Sequence, residues 1–185
     1  MRRIQPAESV VLVVDVQERL APAMPEPQLA ALTRATTVLL EAAKLLGAGV
    51  IATEQYPKGL GPTIPVIQEK LTAAGVDVLP KMAFSACEAD GFEARWSKLG
   101  ARVAIVVGME THVCVYQTVR ELCARGVPVL VPFDGVSSRR DDHKQVGLDL
   151  CQGAGATITT METVVFDWLR VAGTEPFRHL SKLLR

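Results

Sequence analysis

Two kinds of apolar pattern alternate along the chain. Uncharged runs of mostly β-branched residues stand at 10–14 and 103–107, and runs this short predict strands buried on both faces of a parallel sheet. Similar runs at 50–53, 76–79, 127–131 and 156–160 predict four further strands. Between the strands, apolar positions recur three and four apart. Leu29, Leu32, Thr36, Leu39, Ala43 and Leu46 mark one face of a helix over 28–46, which Gly47 and Gly49 close. Helices are also predicted over 66–74, 92–99, 141–151, 162–170 and 176–184. Alternating strands and helices mean an α/β fold with a parallel sheet covered on both sides, while the strand order is left open by periodicity.

The stretch 103–126 holds the chemistry. Gly108 ends its strand, Thr111 is placed to cap a helix, and Val115, Val119 and Leu122 continue at helical spacing until Gly126 and Pro128. Cys114 then lies in the first turn of that helix at the carboxyl end of a central strand, the edge where open α/β sheets place ligands. The unpaired N–H groups of such a turn favour an anion, so a thiol there is expected to ionise more easily than a free one. The segment 54–65, EQYPKGLGPTIP, reads as an irregular loop, and a loop of that length in a compact domain is often functional.

Composition narrows the classes. The 185 residues, 49% hydrophobic, suit one domain with a substantial core spanning 1–185. Twenty basic residues balance twenty acidic ones, with no basic block, which argues against nucleic acid or an anionic membrane as the main partner. The apolar run after the two N-terminal arginines ends at Asp15, too short for a signal peptide or membrane span. The four cysteines, at 87, 114, 123 and 151, lack CxxC spacing and read as reduced thiols of a cytoplasmic protein.

Three polar residues follow strands: Asp15 after the first, Lys81 after the third and Cys114 after the fourth. Taken singly, each has an ordinary reading: a turn cap, a solvated charge, a small buried hydrophobe. Parallel strands bring their carboxyl ends to one edge, however, where a carboxylate can take the thiol proton and an ammonium can balance charge. Asp15 in VVDVQ, Lys81 in PKMAFSAC and GMETHVCV around Cys114 resemble the isochorismatase-like cysteine hydrolases, the superfamily that includes nicotinamidases. The loop TEQYPKGLGPT is most similar to the isochorismatase-domain-containing proteins within it.

That resemblance implies a three-layer α/β/α fold with a mainly parallel six-stranded sheet in the order 3-2-1-4-5-6. It implies a catalytic triad of Asp15, Lys81 and Cys114, a cis peptide bond before Glu110, and an oxyanion hole of the backbone N–H groups of Glu110 and Cys114. It also implies a homo-oligomer. The reaction expected is acyl transfer from a small amide through a thioester. Gln17, Tyr56 and Phe84 are candidate pocket residues, with Gln17 the stronger polar contact, and core packing or loop stapling is the competing reading for Tyr56 and Phe84. Nicotinamidases bind a divalent metal through Asp-x-His after the second strand. In the matching stretch 53–57 a glutamine and a proline fall at the ligand positions, and His112, His143 and His179 read as scattered, so no metal and no other cofactor is expected. His112, two residues from Cys114, reads as a surface or capping residue because the two side chains point apart. Cys87, Cys123 and Cys151 read as structural. Two alternatives stay open: an isochorismatase-type hydrolase in which Asp15 is a general acid and no thiol reacts, and a non-catalytic binding or redox module on the same fold.

Overall fold

A computed structural model describes residues 3–184. The sheet is built from β1 (Ser9–Val14), β2 (Gly49–Gln55), β3 (Leu79–Lys81), β4 (Val103–Met109), β5 (Val129–Pro132), β6 (Val136–Ser137) and β7 (Thr157–Thr159). The order is β3-β2-β1-β4-β5-β7, with β6 paired to β4, and every ladder is parallel. The predicted order therefore holds. The third strand, however, forms over Leu79–Lys81 rather than 76–79, so Lys81 ends the strand instead of following it.

The seventh strand arises from a step in the chain. β5 pairs with Ala104 and Ile105 at the start of β4. A single helical turn over Phe133–Gly135 then shifts the chain sideways, and β6 pairs with Gly108 and Met109 at the end of β4. A Cβ on Gly135 would come within 2.6 Å of Val107, so the step needs a glycine.

The alternation of β1 divides the core. Val11 and Val13 face a layer made by α1 (Glu26–Leu46), α3 (Pro65–Ala73), α7 (Met161–Leu169) and α8 (Glu175–Leu183), while a helical turn α2 (Pro57–Leu60) lies in the loop after β2. Val10, Leu12 and Val14 face the opposite layer, of α4 (Phe92–Lys98), α5 (Tyr116–Ala124) and α6 (Asp141–Gly153). All six residues of β1 are buried, as a central parallel strand requires. The predicted irregular loop 54–65 is shorter than its composition implied: β2 runs on to Gln55, and α2 occupies its middle, with Pro57 at its first position. Among the described residues no helix is long and apolar enough to cross a membrane.

Candidate active site

Strands β2 and β3 lie to one side of β1, and β5 and β7 lie beyond β4 on the other. The order reverses between β1 and β4, and an open α/β sheet is cleft at that place. Asp15 follows β1 and Cys114 follows β4, one on each strand of the reversal. The two strand ends come very close: a Cβ on Gly108 would stand 2.0 Å from the Val14 carbonyl oxygen. Asp15 itself adopts a left-handed backbone, φ 53°, which aspartate tolerates better than most residues.

Asp15 and Lys81 form a wholly buried ion pair, with Lys81 Nζ 2.7 Å from Asp15 Oδ2. Thr53 Oγ1 donates to the other carboxylate oxygen at 2.8 Å. Lys81 Nζ also donates to Gln55 Oε1 at 2.7 Å, to the Phe84 carbonyl at 3.0 Å and to the Ala83 carbonyl at 3.2 Å. The Cys114 thiol lies close enough to this pair for the charges of both Asp15 and Lys81 to act on it. The three residues predicted to converge at one sheet edge are thus brought together.

The electrostatics differ from the simple helix-terminus expectation. Burial raises the Asp15 carboxyl above its ordinary 3.8, against the opposing pull of the Lys81 ammonium and the hydrogen bonds from Lys81 and Thr53. Burial, and after it the neighbouring Asp15 carboxylate, push the Cys114 thiol from 9.0 up to about 12. The expected easier ionisation does not occur. Cys114 is only 6% exposed, and desolvation of a thiolate outweighs what a helix start supplies. The resting sulfur is a thiol beside a carboxylate of enhanced basicity.

The turn bearing Cys114 is wider than an α-helical turn. Over Thr111–Val115 the bonds run five residues back: Val115 N–H donates to the Glu110 carbonyl at 3.2 Å, and Tyr116 N–H to that of Thr111. Such π-helical turns recur at functional sites. Thr111 does not act as the expected cap: no side chain caps this start, and the Thr111 hydroxyl is buried without a hydrogen-bond partner. The Met109–Glu110 peptide bond is cis. The Glu110 carboxylate turns away to Arg139, accepting from its backbone N–H at 3.0 Å and from Nε at 3.0 Å. Helix α6 backs the turn closely, since a Cβ on Gly147 would come within 2.7 Å of His112 N and Thr111 C.

The candidate pocket residues divide. Gln17 is fully buried and spends its amide on the main chain: Nε2 donates to the Gln55 carbonyl at 3.0 Å and the Gly61 carbonyl at 2.7 Å, and Oε1 accepts from Gln55 N–H at 2.8 Å. It staples two loops rather than presenting its amide to an open cleft. Tyr56 and Phe84 are 48% and 51% exposed, and it is their main chain that meets Lys81: Tyr56 N–H donates to the Lys81 carbonyl, and the Phe84 carbonyl accepts from Lys81 Nζ. His112 is half-buried, with Nδ1 3.0 Å from Ser138 Oγ, and its ring stands 4.7 Å from that of His143. The histidines are therefore not all scattered, as α6 folds back to pair two of them. Among the described residues no group of three or more potential ligands surrounds a metal-sized point.

Several contributors have no motif of their own. Thr53 and Gln55 lie on β2 and bond Asp15 and Lys81 from the side. Thr118 accepts from Ala86 N–H at 2.8 Å and donates to the Cys114 carbonyl at 2.7 Å, tying the segment after Lys81 to the helix of the sulfur. The one available signal was position: Thr53 and Gln55 end a strand adjacent to β1, and Thr118 is one helical turn past Cys114.

Similarity to known proteins follows the same frame. The Isochorismatase domain matches residues 9–163. The secreted isochorismatase effector Isc1 of Phytophthora sojae is 35% identical over 99% of this chain and 87% of its own length. Isochorismatase domain-containing protein 1 of Salmo salar is 33% identical over 97% of this chain, which spans 62% of that protein. The solved structure of MAR1 ribonuclease from Caenorhabditis elegans superposes with a TM-score of 0.90 at 34% identity, covering 99% of this chain and 92% of that one.

Proposed function

The chain belongs to the isochorismatase family and has its hydrolase fold, and from that premise we propose that it hydrolyses a small amide with Cys114 as nucleophile. The observation that carries this reading is the wholly buried Asp15–Lys81 pair, 2.7 Å apart, with the Cys114 thiol near enough to feel both charges.

The steps follow from the charges. Asp15 takes the Cys114 proton as the sulfur attacks the substrate carbonyl, because a thiol held at about 12 is not ionised beforehand. The backbone N–H groups of Glu110 and Cys114 receive the oxyanion. The protonated Asp15 then gives its proton to the leaving nitrogen, the tetrahedral adduct collapses to a thioester, and an amine departs. Water, deprotonated by Asp15, attacks the thioester; the carboxylic acid leaves and the sulfur recovers its proton. Lys81 keeps its proton throughout and offsets the negative charge on Asp15 or on the sulfur. Gln55 stands where nicotinamidases place a metal ligand, and its amide oxygen here accepts from Lys81 instead, in keeping with a metal-independent reaction. The solved relative from Caenorhabditis elegans is, by its name, a ribonuclease. The balanced charge of this chain, with no basic block, fits a small neutral carbonyl compound better than RNA.

A second reading has one observation in its favour. A carboxyl raised by burial is also a better general acid, and Asp15 acting alone on a vinyl ether would need no thiol. A panel of small amides scored for ammonia or amine release, run with wild-type protein and Cys114→Ser, separates the two. Loss of amide turnover in the variant, with its circular dichroism unchanged, supports the thiol route. Turnover that survives the loss of the sulfur removes it.

A further inference from the structure

Two of the three histidines in the chain meet outside the Asp15, Lys81 and Cys114 cluster. His112 stands in the π-helical turn that bears Cys114, and His143 in the first turn of α6. Their ring centres are 4.7 Å apart, with the planes tilted by 54°. Two imidazole nitrogens bound about 2.0–2.1 Å from one zinc-sized ion, at tetrahedral to octahedral angles, put their ring centres roughly 4.5–5.2 Å apart. The observed separation falls inside that range. His112 Nδ1 lies 3.0 Å from the hydroxyl of the fully buried Ser138. That bond holds the ring and leaves Nε2 as its free nitrogen, the outer partner that metal-binding histidines use for orientation. His143 is exposed, and its hydrogen bond to Asp142 uses the main-chain N–H, which leaves the imidazole to the contact with His112. The two elements are pressed together, since a Cβ on Gly147 would stand 2.7 Å from the His112 main-chain nitrogen. Glu110 and Arg139 both act on His112, and they pair with each other at 3.0 Å, so their charges largely cancel there.

We propose that His112 and His143 form a site for a late first-row divalent cation of the nickel, copper and zinc group, and that the bound ion clamps α6 to the turn bearing Cys114. Imidazole selects such ions over magnesium and calcium, which take oxygen ligands. Among the described residues no third His, Cys, Asp or Glu completes a ligand group. Water fills the other positions, and the ion exchanges with solvent instead of residing in the protein. The site lies apart from Gln55 and the end of β2, and it does not depend on the hydrolase reading.

The test is a calorimetric titration of nickel chloride into the full chain, free of any added histidine tag, near neutral pH. It is run on the wild type, His112→Gln, His143→Ala, Cys114→Ser and His179→Ala. The wild type, Cys114→Ser and His179→Ala should bind nickel with equal affinity. His112→Gln and His143→Ala should each bind at least about tenfold more weakly, because loss of an outer partner alone costs about 10–100-fold. Should His112→Gln fail to fold, the exposed His143→Ala decides alone. Saturating nickel should also raise the urea midpoint of the wild type, since the folded state alone holds the rings together, and leave that of His143→Ala unmoved. No binding by the wild type, or equal affinity in the wild type and His143→Ala, overturns the site. Binding lost in Cys114→Ser overturns it too, since the ion then sits on the sulfur. A wild-type midpoint that nickel leaves unchanged overturns the clamp.

Discussion

Lys81 Nζ stands 2.7 Å from Asp15 Oδ2, and neither side chain has any exposed surface. Each charge depends on the other for its solvation. Lys81→Met should therefore cost about 3–5 kcal/mol, the range for removing one partner of a buried pair. Adding Asp15→Asn should restore part of that loss, because no lone carboxylate remains. The rest persists in the Gln55, Ala83 and Phe84 oxygens that lose their donor. Urea unfolding of the single and double variants measures both. A double variant no more stable than Lys81→Met alone would show that the carboxylate charge is not what the lysine compensates.

The pH dependence has a definite sign. The base must be unprotonated, and burial raises Asp15, so kcat/KM should fall toward acid with a midpoint above the 3.8 of free aspartate. For stability, Cys87, Cys114 and Cys151 are each raised by burial from 9.0 to about 12. A raised folded value means the folded state holds the proton more tightly. That contribution is fully present below pH 9 and is lost as pH climbs toward 12. Denaturation midpoints measured across the range from about pH 7 to about pH 11 should stay flat in this respect up to about 9 and then decline. In Cys151→Ala, which removes one of the three thiols, the alkaline decline should be shallower, and an unchanged slope would contradict the assignment.

Thr118 links the 82–86 segment to the Cys114 main chain through two hydrogen bonds, at 2.8 Å from Ala86 N–H and 2.7 Å to the Cys114 carbonyl. Thr118→Val keeps the shape and removes both, at about 1–3 kcal/mol for buried groups left unpaired. Because the Cys114 carbonyl and the 82–86 segment then float relative to one another, kcat should fall about tenfold or more, the scale of a small misplacement of reacting groups. Thr118→Ser retains the hydroxyl and should recover most of the rate. Steady-state kinetics on the two variants provide the comparison, and equal rates in both would reject a positioning role.

Two glycines of α6 make opposite predictions. At Gly147 a Cβ would come within 2.7 Å of the backbone of Thr111 and His112, atoms that cannot swing aside as a side chain would. Gly147→Ala should destabilise by about 1–3 kcal/mol through overpacking and slow the alkylation of Cys114. At Gly153 nothing lies within 4 Å, and Gly153→Ala should gain about 0.5–1 kcal/mol from helix propensity. Thermal melts of the pair decide, and similar melting shifts would mean that α6 does not press on the cysteine turn.

The chain by itself determined the class of fold and the edge where chemistry gathers. Unbroken β-branched runs at 10–14 and 103–107 have no stable home except a strand covered on both sides. The polar residues that end or follow the strands then fall at one rim, which is why Asp15, Lys81 and Cys114 were legible together. Periodicity reports which face a residue takes but not what it meets there, and several features waited on tertiary contacts. Gln17 looked like a pocket amide until β2 and the 61 region closed around it. His112 and His143 lie far apart along the chain, and only the return of α6 sets their rings side by side. The ionisation of Cys114 reversed sign because the local helix start is a property of sequence neighbours, whereas desolvation comes from every layer packed above the sulfur. The inward-turned carbonyls of 82–84 carry no residue signature at all, since a backbone group has the same chemistry at every position and only the folded chain decides where it points.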